Sequence, residues 1–433
     1  MFLFDRLSNL VTGIGTSKDK STAQTFALKL LGRDELDAMY RCDWLSRKIV
    51  DVVAFDATRE WRLWQAAQNE IDRIEREEQR LGLREKCVRA LQLARLYGGS
   101  AIYLGTRDGD VGQPLNVERL SLGGLTYLHV LTPFQTRCGE IDRDPLSSHF
   151  GEPLYYEIFD GRGQTIRVHP SRVVRFVGAP FPDPLFLTPT IGSQSWGDPV
   201  LQIVYDAVAN AASSQQHVAA LLPELKIDIV SVPNLQNTLA TEEGTNRLAA
   251  RFFNANLLKS LHNVLLLQGG DEAVAEQWQQ RQIDFTQFPE LLRQFLQVAA
   301  GAADIPVTRL VGQAPAGLNA TGDGDIRNYY DRIAAHQRVD LAPRLERIDQ
   351  CLVRSALGSR PADIYYEFAP LWQLSAVEKA DIALKLSQTV TGLKESGLVP
   401  SAILAQGLRN RLIEDGIFPG IESAFADAET IGS

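Results

Sequence analysis

The chain has 433 residues, 45% of them hydrophobic and 22% charged, which is globular material with enough apolar mass for more than one core and excludes a disordered polymer. Its 44 basic residues are outnumbered by 53 acidic ones, a formal charge of −9, which argues against tight gripping of nucleic acid by phosphate neutralisation. Cys42, Cys87, Cys138 and Cys351 lie far apart, with no CxxC or Cys/His grouping, so a structural zinc is not expected and buried free thiols in a reducing cytoplasm are.

The opening MFLFDRLSNLVTGIG has neither a basic n-region nor a continuous apolar core, so neither a signal peptide nor an anchor is expected there. No later run reaches the ~20 apolar residues of a spanning helix. Residues 1–33 are broken by Gly13, Gly15 and Gly32 and read as an arm. Asp34 then suits an N-cap, and from Leu36 the positions Met39, Tyr40, Trp44, Leu45, Ile49, Val52 and Val53 recur at three- and four-residue steps, one buried helical face. The run 69–80 sets Glu70, Asp72 and Glu75 against Arg73, Arg76 and Arg80, the pattern of a solvated helix or a partner face. Leu83 to Tyr97 is amphipathic and stops at Gly98-Gly99, before a strand over Ser100 to Leu104.

Between Thr126 and Val177, β-rich pieces (TYLHVL, LYYEIF, TIRVH, RVVRFV) alternate with turn clusters, which predicts a small sheet on the preceding helices and an α+β body. Pro180, Pro182, Pro184 and Pro189 hold the next stretch extended. The run from Asp198 to Leu222 contains no Lys or Arg and is rich in Ala, a helix suited to close packing, and Pro223 ends it. Strand over Lys226 to Val232, helix over Thr241 to Leu261 and strand over Asn263 to Gln268 make a compact α/β insert, followed by a helix from about Phe285 to Ala303.

Residues 305–330, IPVTRLVGQAPAGLNATGDGDIRNYY, form a polar segment between two helices, with glycines for backbone freedom and prolines that stop helix growth. An EF-hand starting at Asn319 would place Tyr330 where a bidentate Glu is required, and no Gly-Lys pair exists for a phosphate loop. A G-x-S-x-G elbow at Gly98 and Ser100 fails at Ile102. The six histidines are scattered and form neither HExxH nor a His-x-Thr pair. The numerous carboxylates lie among arginines, as on a solvated ion-paired surface. No catalytic constellation, cofactor site or metal site is therefore expected. The chemical alternative is a divalent-metal-dependent nucleotide or nucleic-acid enzyme in which Asp323 and Asp325, with a further carboxylate, hold magnesium. Past Ile326 a helix is expected to run to about Leu357, bent or broken at Pro343, with a strand over Asp363 to Phe368 and short helices over 375–433.

The run Ile305, Pro306, Leu310, Gly312, Pro315, Gly317 to Asp323, Asp325 and Tyr329 to Asp331 resembles the signature segment of one branch of tailed-phage portal proteins. YRCDWLSRKIVDVVAFDATREW, ARLYGGSAIYL, HPSRVVRFVG and WGDPVLQIVYD resemble that branch in the same order. The resemblance implies a portal fold: an N-terminal arm over 1–33, a wing over 34–197 and 326–372, and stem helices over 198–222 and 284–304. It further implies an α/β clip over 223–283, a tunnel loop over 305–325 and a helical crown over 373–433. On that likeness Gln313, Asn319, Thr321, Asp323 and Asp325 face a DNA channel. The implied function is a dodecameric ring at one capsid vertex of a virion, made in the host cytoplasm, for DNA packaging and ejection. Its implied partners are other copies of the chain, the major capsid protein, the terminase large subunit, a head-tail adaptor and double-stranded DNA held without sequence specificity, with no membrane. Some relatives of this branch resemble fusions to a cyclic-nucleotide phosphodiesterase carrying two His-x-Thr motifs, and this chain has neither motif.

Overall fold

Helices α1 (Arg33–Cys42) and α2 (Trp44–Arg59) are separated by the single residue Asp43, whose extended backbone breaks the run and whose carboxylate accepts from the Ser46 amide at 2.7 Å. The expectation of one continuous helix is corrected by this cap, a short acidic side chain that satisfies an orphan N–H. Nor is Asp34 the cap of α1: Gly32 takes that place, and Glu35 reaches back to the Gly32 amide at 3.0 Å. The computed structural model describes residues 30–107, 109–147, 150–159, 163–181, 196–221, 226–231, 235–262, 277–282, 286–312, 323–372, 376–396 and 400. The arm over 1–29 and the end from 401 lie outside the described residues.

A short strand β1 (Arg62–Gln65) leads to α3 (Gln68–Leu81), which turns through Gly82, a left-handed cap at φ 60°, into α4 (Leu83–Tyr97). Next come β2 (Gly99–Thr106), β3 (Leu125–Leu131), β4 (Thr136–Cys138), β5 (Tyr156–Phe159), β6 (Thr165–Val168) and β7 (Val173–Val177). They form two antiparallel three-stranded sheets, ordered β3-β2-β7 and β4-β5-β6, where a single small sheet was expected. The first sheet packs on α4 and buries Ile102, Leu104, Leu125 and Phe176 in the same core as Ile49 and Leu83. At its edge three chain segments meet with no side chain between them. Gly98, at φ 81°, accepts from the Gly178 and Gly197 amides, each at 2.8 Å, and a Cβ on Gly98 would stand 2.0 Å from the Gly197 carbonyl oxygen. Only glycine fits there.

From this junction α5 (Val200–Leu221) leaves the body and packs along α8 (Phe288–Ala302). Between them lie β8 (Lys226–Ser231), α6 (Leu235–Leu239), α7 (Glu242–His262) and β9 (Gln277–Gln282). The strand expected at 263–268 lies outside the described residues. The partner of β8 is β9, which pairs with it antiparallel, and its polar sequence QWQQRQ carries no apolar alternation to betray it. After α9 (Val307–Val311), α10 (Asp323–His336) runs through a π-helical stretch, Gln337–Leu341, into α11 (Ala342–Leu357). Pro343 is the cause: it has no N–H and its ring collides with the carbonyl four residues back, so the chain widens there without breaking. Strand β10 (Tyr365–Phe368) pairs with β1, and α12 (Ala376–Ser396) is one long helix where several short ones were expected.

The body is closed by Arg62, buried on β1, which donates to Asp349 of α11 and to Glu78 of α3. Its guanidinium lies against the rings of Trp61, Trp64 and Tyr366, with centroids 4.4–5.2 Å away. Burial pushes the Asp349 carboxyl up to about 6 while Arg62 pulls it down. Glu78 belongs to the run expected to face solvent, and the structure turns it inward to answer this charge. Replacing Arg62 with Met should cost about 3–5 kcal/mol, because it leaves two carboxylates facing an apolar interior. Urea denaturation measures it; a loss near the ~1 kcal/mol of an exposed pair would show that water reaches the cluster.

Candidate functional site

The polar segment between α8 and α10 is rooted in the body by local backbone geometry first. Asp304 adopts a left-handed conformation at φ 57°, and the Asp304 and Ile305 amides return to the Gly301 and Ala300 carbonyls at 3.1 and 3.0 Å, closing the end of α8. Pro306 then caps α9, which Gly312 ends at φ 78°. The expected loop over 305–325 is therefore shorter than supposed, because residues 307–311 are helical and α10 already begins at Asp323. Gln313, Asn319 and Thr321 lie outside the described residues. Asp323 opens α10 and Asp325 is exposed in its first turn, where a negative charge is favoured by the unpaired amides of the helix start. Among the described residues no group of three or more His, Cys, Asp and Glu could hold a metal ion.

Both ends of this segment are fastened to one buried carboxylate. Asp56 on α2 receives Arg309 of α9 through Nε at 3.0 Å and Nη2 at 2.8 Å, a bidentate pair. It also accepts from the Tyr329 hydroxyl of α10 at 2.9 Å. Burial first, and the Asp56 charge second, push the Tyr329 phenol well above its ordinary range, so it remains a donor. Neighbouring residues on α2 reinforce both feet: Lys48 donates to the Leu310 carbonyl at 2.9 Å, and Arg59 donates to the Tyr330 hydroxyl at 3.0 Å and to the Leu371 carbonyl at 2.6 Å. One helix thus sets where the segment leaves the body and where it returns.

What the geometry at this root does is position a chain segment. Sequence reasoning missed Asp56, Arg309, Lys48 and Arg59. A signal for Asp56 was present: it falls on the buried face of α2 at the spacing Ile49, Val53, Asp56, where a carboxylate demands a partner.

Residues 34–392 match the family model described as Phage portal protein. The Anti-CBASS protein Acb1 of Caulobacter sp. (strain RHG1) is 47% identical, over 100% of this chain and 70% of that protein. The protein of the same name from Sphingomonas paeninsulae is 40% identical, over 99% of this chain and 68% of its own length. Among solved structures, the neck of an empty GTA particle computed with C6 symmetry is similar at 16% identity, covering 90% of this chain and 99% of that one, with a TM-score of 0.49.

Replacing Arg309 with Ala should cost about 3–5 kcal/mol by stranding Asp56, whereas Tyr329→Phe should cost about 1 kcal/mol, one hydrogen bond among several. Chemical denaturation of the two variants gives the ratio; equal costs would show that Asp56 does not need the guanidinium.

Proposed function

Because the chain belongs to the phage portal protein family, we propose that copies of it close into a dodecameric ring at one capsid vertex, through which double-stranded DNA enters and leaves the head. In this reading α5 and α8 are the stem around the channel and the β8–β9 insert is a clip at the outer mouth. The segment over 305–325 supplies the tunnel loop, the two three-stranded sheets and their helices make the wing, and α12 begins the crown. The ring sits among the major capsid protein, receives the terminase large subunit transiently and then a head-tail adaptor, and performs no catalysis of its own. The relatives named Anti-CBASS protein Acb1 match across this chain, which has no His-x-Thr pair; we assign this chain the portal role.

The observation that carries the reading is the surface of the α5–α8 pair. One face of α5, through Leu201, Val204, Val208 and Ala211, is buried in the body, while Ile203 on the same helix is 78% exposed and Val298 on α8 is 61% exposed. Asp206 is the one Asp, Glu, Lys or Arg in α5, so this helix can pack against a neighbour with little charge to desolvate. Burying such an isoleucine contributes roughly 1.5–3 kcal/mol. A dodecamer of −9 chains carries roughly −100 charges in all, and any share facing the channel repels phosphate and keeps DNA moving.

Negative-stain images of the purified chain should show rings with a central hole, equally with and without EDTA. A monomer that needs divalent ions for an activity would refute the portal reading. Ile203→Lys should leave the fold intact and shift gel-filtration peaks from ring to monomer; intact rings would place α5 away from the interface. Changing Asp323 and Asp325 together to Lys should leave rings assembled but slow DNA packaging, more so at low salt because phosphate contacts weaken as counterions compete. The Asn pair, which keeps helix-start hydrogen bonding, should package normally. Normal packaging by the Lys pair would show that this turn does not meet DNA.

A further inference from the structure

A cavity of about 530 Å³ between α2, α4, β7, α5, α10, the π-helical stretch and α11 has no part in the reading above. Its size falls in the ~300–1,000 Å³ range of small-molecule pockets. Leu91, Phe176 and Ile333 give it an apolar wall, and three arginines from three helices line the rest: Arg95 of α4, Arg332 of α10 and Arg344 of α11. Asp340 is the one carboxylate in the lining. It is taken up by Arg344, whose Nε approaches at 3.1 Å. Arg332 pairs with Asp304, whose side chain is 78% exposed and outside the cavity.

Arg95 has no such partner. Its Nε and Nη2 donate to the Val50 and Ile49 carbonyls at 3.1 and 2.7 Å, and among the described residues it forms no ion pair. Carbonyl dipoles aim a guanidinium but do not neutralise it, and burial pulls Arg95 down to about 10. His336, also in the lining, is held below its ordinary range by burial and so adds no charge at neutral pH. With Arg344 answered by Asp340 and Arg332 paired with Asp304, the charge of Arg95 is the one left unanswered in the lining.

We propose that this cavity binds a small organic phosphate of nucleotide size, its phosphate set against Arg95 and Arg332 and its apolar part against Leu91, Phe176 and Ile333. A phosphate monoester carries about −1.5 to −2 charges near neutrality, enough to answer Arg95 and to share Arg332 with Asp304, whose side chain is largely in solvent. Guanidinium N–H groups also make charge-assisted hydrogen bonds to phosphate oxygens.

Isothermal titration of the full-length chain with AMP, inorganic phosphate and adenosine tests this. AMP should bind once per chain, inorganic phosphate more weakly and adenosine not at all, and Arg95→Gln should weaken AMP by about tenfold or more. No AMP binding at millimolar concentrations, or undiminished binding by Arg95→Gln, would overturn the site. Inorganic phosphate binding as tightly as AMP would overturn the role given to the apolar wall. If circular dichroism shows Arg95→Gln unfolded, Arg332→Gln takes its place, with loss of AMP binding supporting the site and retention refuting it.

Discussion

A guanidinium removed from water must have its charge answered inside the protein, and for Arg62 the answer comes in part from a carboxylate 287 residues further along the chain. That single requirement organises the body. Glu78 and Asp349 must arrive together, and with them come α3, α11 and the pairing of β1 with β10. The aromatic rings around the cation exclude water and strengthen both ion pairs. The early and late parts of the chain therefore make one core, which α5 and α8 join through one face each, and the β8–β9 insert between them is an excursion from it. Contacts of such long range are slow to form because loop closure precedes their reward.

Asp56 lies just upstream of Arg62 on the preceding helix and solves a different problem with the same chemistry. Arg309 and Tyr329 approach it from opposite ends of the polar segment, so the segment is anchored on the same helix that buries Ile49 and Val53 in the core. The root is thus rigid, while the segment beyond it is polar and rich in small residues. The π-helical stretch just beyond α10 keeps that helix continuous with α11 despite Pro343, which carries the position of Tyr329 into the Arg62 cluster.

Much of the architecture was legible in periodicity. The amphipathic helices, the glycine stops, the nearly uncharged α5 and the perturbation at Pro343 all follow from spacing and from what proline and glycine forbid. What escaped was set by distant partners. Strand β1 holds a buried arginine that reads as surface, β9 has a polar sequence that takes its place from β8, and Asp43 breaks a helix that apolar spacing alone would continue. At the root of the segment the quoted residues Tyr329 and Tyr330 were in view but their partners were not. A hydrogen-bonded carboxylate is specified by three-dimensional neighbours, and one sequence gives only its position on a helical face.

The pairing of β8 with β9 places Lys226 opposite Gln282, so the chain leaves for the insert and comes back at adjacent points. The entropy of closing such an excursion rises only with the logarithm of its length, about 0.6 kcal/mol for each doubling. The insert can therefore lengthen, shrink or be exchanged between lineages at almost no thermodynamic penalty to the body. Changes of length in the insert need not disturb the Arg62 and Asp56 clusters of the body.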